Sequence, residues 1–184
     1  NVAGLAVAFA AFIVILIQIN FERTFDRCHP TSGRIFRVDL TIPGTFGTIL
    51  PRAFVEAVIQ SSPHIEAGPL LTPSFGQNGV YLSVDRNGQP FGFKEIVTTC
   101  HASLPKIFAF PIVEGDIDCL KNPEKVMVPR SLADKLFGED ISAVGKTLRA
   151  EENIWTKSAK LFTIGAVYKD FPENTQLRNV VYTA

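Results

Sequence analysis

From Val2 to Ile17 the chain is an unbroken run of Val, Ala, Gly, Leu, Phe and Ile; Gln18 interrupts it, and Ile19, Asn20 and Phe21 follow. A membrane-spanning helix needs about 20 apolar residues, with a range of about 17–25. The run sits at the short limit. The sequence opens at Asn1 without an initiator Met, and the run is expected to start inside a longer span. A secretory signal is the rival reading. Its apolar core would be about 7–15 residues and would end in a small-residue cleavage site, whereas Gln18 to Arg23 makes a poor one. A buried soluble helix is the third reading, but a run apolar on every face suits lipid better. The helix is expected to continue to about Cys28. Phe21 and Phe25 lie one turn apart, Arg23 and Asp26 stand at a supportive i,i+3 spacing, and Pro30 stops the helix.

Beyond Pro30 the pattern becomes mixed. Arg34 to Leu40 alternates Ile35, Arg37 and Asp39 against Phe36, Val38 and Leu40, the period of a strand. Leu50 to Gln60 reads as a helix, with Pro51 in its first turn and Phe54, Val55, Val58 and Ile59 on one stripe. Val80–Val84 and Phe91–Thr98 read as strands around Asp85-Arg86-Asn87-Gly88-Gln89, where Asn-Gly suits a tight hairpin turn. Leu104–Phe108 reads as a short helix and Lys125–Val128 as a strand. Ser131 is expected to cap a helix over Leu132–Phe137, with Asp134 as its capping-box partner and Gly138 at C′. Leu132, Leu136 and Phe137 share its apolar face, expected to pack on Phe162 and Ile164. Lys146–Arg149, Leu161–Lys169 and Val180–Ala184 complete the strands. This order predicts an α+β fold: an N-terminal transmembrane and stalk helix, then a mixed α+β extracytoplasmic domain in one lobe or two.

Lys plus Arg and Asp plus Glu both number 18, so the net charge is zero. A nucleic-acid binder working through overall positive charge is excluded, and so is an acidic tail. With 15 Phe and many aliphatic residues, the chain is not disordered. Three Cys are too few for a disulfide scaffold. Arg23, Arg27, Arg34 and Arg37 all follow the span, which by itself favours the cytoplasm for this flank.

No complete phosphate-binding loop of the Gly-x-x-x-x-Gly-Lys-Ser/Thr kind is present. Two Cys-His pairs, Cys28-His29 and Cys100-His101, are poor metal sites, because adjacent side chains point apart. His64 stands alone. Cys100 and Cys119 could pair in an oxidising compartment, leaving Cys28 over; the sequence leaves this open. Asp116 and Asp118 follow Gly115 and read as an acidic turn, since a calcium loop needs more oxygen ligands. Glu151-Glu152 near Trp155 reads as a solvated loop. No catalytic, cofactor-binding or metal-binding residue is assigned, and no cofactor is called for.

Several segments, taken in order, carry a resemblance. They are Asn1 to Ala8, Phe21-Glu22-Arg23-Thr24-Phe25-Asp26-Arg27-Cys28-His29-Pro30, and Gly33-Arg34-Ile35-Phe36-Arg37-Val38. Then come Ile107 to Asp116, Ser131-Leu132-Ala133-Asp134-Lys135-Leu136-Phe137-Gly138, Val144 to Leu148, and Gly165 to Asn174. Together they resemble the first span and the MacB-like periplasmic core domain of FtsX-like ABC-transporter permeases. Thr41 to Thr99 matches least.

The resemblance implies residues 1–29 as transmembrane and stalk helix and 30–184 as the core domain, incomplete at its C-terminal end. It implies a non-enzymatic permease subunit of the bacterial inner membrane, its domain in the periplasm or extracytoplasmic space. That overrides the side favoured by the arginines. It also implies transmission of ATP-driven conformational change for export or efflux. The partners would be a cytoplasmic ABC ATPase, membrane lipid, a second permease in a homodimer or heterodimer, and a periplasmic protein, with no nucleic acid. The alternative is a membrane-anchored extracytoplasmic sensor or ligand-binding domain of a signalling receptor. An anchored hydrolase would need a convergent polar cluster that the sequence lacks.

Overall fold

The computed structural model describes residues 1–38, 50–72, 79–139, 141–152 and 158–184. The expected strand end at Asp39 and Leu40, and Trp155, lie outside them.

Helix α1 spans Val2–Arg23 and buries none of its residues. Its length and mean hydropathy of 2.7 are those of a membrane-crossing helix. It passes Phe21 as expected but stops at Arg23, not near Cys28. Thr24 ends it, its hydroxyl donating to the Asn20 carbonyl at 2.7 Å and satisfying a last-turn oxygen. Two residues on, Asp26 has φ +57°, which no helix continues through. The next turn is a 3₁₀ turn at Ser32–Arg34. Ile35–Val38, expected as a strand, carries no strand pairing.

Helix α2 is Arg52–Gln60, started by Pro51. Nine strands follow among the described residues: β1 Leu71–Thr72, β2 Val80–Arg86, β3 Gln89–Glu95, β4 Val97–Cys100, β5 Ile112–Gly115, β6 Lys125–Pro129, β7 Thr147–Ala150, β8 Lys160–Tyr168 and β9 Val181–Thr183. Helix α3 is Leu104–Ile107 and α4 is Arg130–Phe137. The strands form one mixed sheet in the order β1-β4-β9-β6-β8-β7-β2-β3, with β5 on the second half of β8. β4–β9 and β6–β8 are parallel, the other pairs antiparallel. The α+β expectation is met.

The β2–β3 hairpin turns at Asn87 and Gly88, both with positive φ, as the Asn-Gly pair requires. α4 departs from the expected cap. It starts two residues earlier, directly from β6, with Pro129 at the N-cap and no side-chain cap bond. Ser131 therefore lies inside the first turn, and Asp134 pairs with Arg130 at 2.8 Å rather than with a cap. Gly138 does close the helix, at φ +99°.

The sheet is buried on both faces at its centre. Leu82, Val126, Val128, Leu148, Phe162 and Ile164 form one cluster with Leu132 and Leu136 of α4, and Phe137 packs at its margin. This is the expected packing. The alternate residues Met127, Ala166, Tyr168 and Tyr182 form a second cluster with Leu104, Phe110, Leu120 and Phe171. Period-two alternation along β6 and β9 sends neighbours to opposite faces. A register shift between Val126 and Met127, opposite Gly165, keeps β8 in step.

Candidate functional site at the joint of helix and sheet

Segment 24–29 joins α1 to the domain and is bonded to residues about 150 positions away. Asp26 places its backbone N–H on the Asn174 carbonyl at 2.9 Å. The Asn174 amide donates back to the Thr24 hydroxyl at 2.9 Å and carbonyl at 3.2 Å. Asp26 Oδ1 accepts from the Thr175 hydroxyl and from the Gln176 backbone N–H, both at 2.7 Å. Asp26 thus turns to the 174–176 segment and not to Arg23.

His29 is the keystone. It is 2% exposed. Its Nδ1 lies 2.8 Å from the Phe108 carbonyl oxygen, and its Nε2 lies 2.9 Å from Thr175 Oγ1. The rings of Phe108 and Phe171 meet it edge-on, with centroids 5.2 and 5.5 Å away. Thr31 adds a hydroxyl bond to the Ile107 carbonyl. The apolar helix is therefore seated on the aromatic face of the sheet through polar bonds.

The other candidates lie apart. Cys28, His64 and His101 are exposed. Cys100 and Cys119 are free thiols in the second cluster. Burial pushes Cys100 up to about 12, the Cys119 thiol adding to it, and burial pushes Cys119 up to about 11, Asp116 adding. Both therefore stay protonated near neutral pH and are poor nucleophiles. The acidic turn holds itself together: Asp118 N–H donates to Asp116 Oδ1 at 2.9 Å. Asp118 pairs with Lys106 at 2.8 Å and Lys121 at 3.3 Å. The Lys106 hydrogen bond, first, holds its carboxyl below the usual range. Glu151 takes a bond from Arg149 at 2.9 Å. Gly145-Lys146-Thr147 runs into β7, not into a helix, and Lys146 Nζ lies 4.2 Å from the centre of the Phe137 ring. It offers no phosphate cradle. Among the described residues no three of His, Cys, Asp and Glu gather as a metal site.

Thr24, Asp26, His29, Asn174 and Thr175 are not recognisable as site residues from the sequence. Thr24, Asp26, His29 and Asn174 lie in two separate strings of the resemblance, Phe21–Pro30 and Gly165–Asn174, and Thr175 directly follows the second; the fold brings the two strings together.

A search of the curated proteins gives no match. Among solved structures, the chain is similar to a domain of a putative permease from Porphyromonas gingivalis, at 24% identity and TM-score 0.53. That likeness covers 69% of this chain and 54% of the other. The periplasmic region of MacB from Actinobacillus actinomycetemcomitans matches at 14% identity and TM-score 0.46, over 71% of this chain and 53% of that one. The extracellular domain of the noncanonic ABC-type transporter YknZ from Gram-positive bacteria matches at 12% and 0.43, over 80% and 69%. The chain thus spans about half the length of the first two. The family model for the MacB-like periplasmic core domain matches residues 1–184, and the chain belongs to that family.

Proposed function

We propose that this chain is the first span and extracytoplasmic domain of an ABC-transporter permease subunit. It passes conformational change driven by a cytoplasmic ABC ATPase across the membrane, for export or efflux. The observation that carries this reading is the joint: an apolar helix ends at Arg23, and within six residues the chain is locked to the sheet by Asn174, Thr175 and His29. A short, bonded joint moves the domain with the helix; a free linker would absorb the motion. On this reading the chain performs no catalysis, and ATP turnover belongs to the partner. The domain lies outside the cytoplasm, and a second permease, surrounding lipid and a periplasmic protein complete the assembly.

The test is reconstitution of the intact permease with its ATPase. Asn174→Ala removes both side-chain bonds to Thr24 while leaving both core clusters intact. ATP turnover is expected to persist while transport per ATP falls. Unchanged transport per ATP would mean that the joint does not carry the motion.

A further inference from the structure

We propose that His29, Thr175 and Asp26 form a largely buried proton-binding site that fastens the end of α1 to the segments covering the sheet. The case is one of donors and acceptors. The Phe108 carbonyl can only accept, so His29 Nδ1, 2.8 Å away, carries a proton. Asp26 Oδ1 already receives the Gln176 N–H and lies 2.7 Å from the Thr175 hydroxyl. A carboxylate oxygen can only accept, so the single hydroxyl proton of Thr175 goes to Asp26. Thr175 Oγ1 then has only lone pairs to offer His29 Nε2 at 2.9 Å, and Nε2 carries a proton as well.

All these bonds coexist only if the three side chains hold one proton more than a neutral imidazole and a carboxylate do. The arrangement is an imidazolium and a carboxylate bridged by one hydroxyl. The reverse arrangement, with the proton on Asp26, would put it on the oxygen that receives the Gln176 N–H. Loss of the proton leaves Thr175 one hydroxyl for two acceptors. Then either the ring nitrogen of a residue 2% exposed loses its partner, or Asp26 loses the Thr175 bond and keeps only the Gln176 N–H.

The neighbours supply no competing charge. From the α3 side His29 meets the Phe108 carbonyl and ring. From the 171–176 segment it meets the Phe171 ring and the Thr175 hydroxyl. Arg27 and Cys28, on its own segment, are exposed. Lys106 of α3 is paired with Asp118. Asp26 is the charged group in this chain of bonds. The site stands on these bonds alone and holds whether or not the joint transmits force.

The test uses the whole chain in detergent micelles with ¹⁵N in its histidine rings, and His29→Gln assigns the His29 signals. Near pH 7 His29 is expected to show two protonated ring nitrogens. Thr175→Val removes the bridge and is expected to leave one; Thr175→Ser restores two. Solvent exchange of the Gln176 amide is expected to speed about tenfold in Thr175→Val and to return in Thr175→Ser, as for loss of one net hydrogen bond. A single protonated nitrogen in the unaltered chain overturns the proposal, and so does a second proton that survives Thr175→Val. If Thr175→Val does not fold, the ring count in the unaltered chain still decides.

Discussion

The two faces of the sheet are closed by different means. One is covered by α4, which lays Leu132, Ala133 and Leu136 on Val126, Val128, Leu148 and Ile164. The cover is aliphatic, and a helix satisfies its own backbone, so side chains need only pack. The other face is covered by the four-residue α3, a 3₁₀ turn at Cys119–Lys121 and the 171–180 segment. Here rings do the packing: Phe110 meets Tyr168, Phe171 and Tyr182 with centroids 5.2, 4.9 and 5.2 Å away. Irregular backbone needs partners, and side chains supply them. The Tyr168 hydroxyl donates to the Val180 carbonyl at 2.7 Å and accepts from the Val180 N–H at 3.0 Å. Asn179 bonds both the N–H and the carbonyl of Phe171. Burial holds both the Tyr168 and Tyr182 hydroxyls above their ordinary range, fully protonated as donors. The loop-covered face is also the one that receives the apolar helix α1. A loop whose polar groups are already answered by side chains can accept more of them, and Asn174, Thr175 and Gln176 do so.

The largest effects come from emptying either face. Phe110→Ala is expected to cost about 3–5 kcal/mol, and Leu136→Ala about 2–5 kcal/mol, in denaturant unfolding of the whole chain in micelles. The two residues belong to different clusters. In the double variant their losses should add to within about 0.5 kcal/mol. A coupling well above that would show that the sheet does not separate the two faces. A loss below about 1 kcal/mol for Phe110→Ala would show that the rings are not a packed core.

A smaller effect is expected from the joint. We propose that the folded domain includes the segment from Thr24, because His29 is buried between Phe108 and Phe171. A chain beginning at Thr31 loses the bonds of Thr24, Asp26 and His29, each worth about 1 kcal/mol. Relative to a chain beginning at Thr24, it is expected to be less stable by about 2–4 kcal/mol in urea unfolding. Equal stability of the two would reduce the joint to a surface attachment.

How far the sequence could be read follows the same division. α1, the Asn87-Gly88 hairpin and the apolar stripe of α4 all declare themselves within a dozen residues, because period and turn chemistry are local. The start of α4 lies two residues before the expected one: Ser131 offers a good cap, but Pro129 ends β6 and turns the chain directly into the helix. The end of α1 was misjudged for a different reason. Thr24 to Cys28 has no breaker, and an isolated chain has every reason to continue the helix. What stops it is an offer from far away, the Asn174 carbonyl and the Thr175 and Gln176 donors, about 150 positions along. No local period encodes that. The buried role of His29 was hidden likewise, since its partners Phe108 and Thr175 stand 79 and 146 positions off.

The smallest expected effect tests whether the helix-covered face also depends on a polar tie. Glu114 of β5 accepts from Ser142 Oγ at 2.9 Å and Ala143 N–H at 3.3 Å with one oxygen, and from Arg130 of α4 with the other. The Ser142 bond first, then Ala143 and Arg130, hold its carboxyl below the usual range. A carboxyl lowered by folding stabilises the fold above its unfolded value, near about 4.3, and that contribution fades as pH falls through the folded value. The stability gap between the unaltered chain and Glu114→Gln should therefore be level from pH 7 down to about 4.5, then close on further acidification. The carboxylate is partly open to water, so the gap itself is expected to be modest beside the two above. A gap that is the same at low and neutral pH would show that Glu114 acts by shape and not by charge. α4 would then owe its place chiefly to its apolar face, with Lys135 still paired to Glu95 at 2.9 Å, and the contrast between the two covers of the sheet would be sharper.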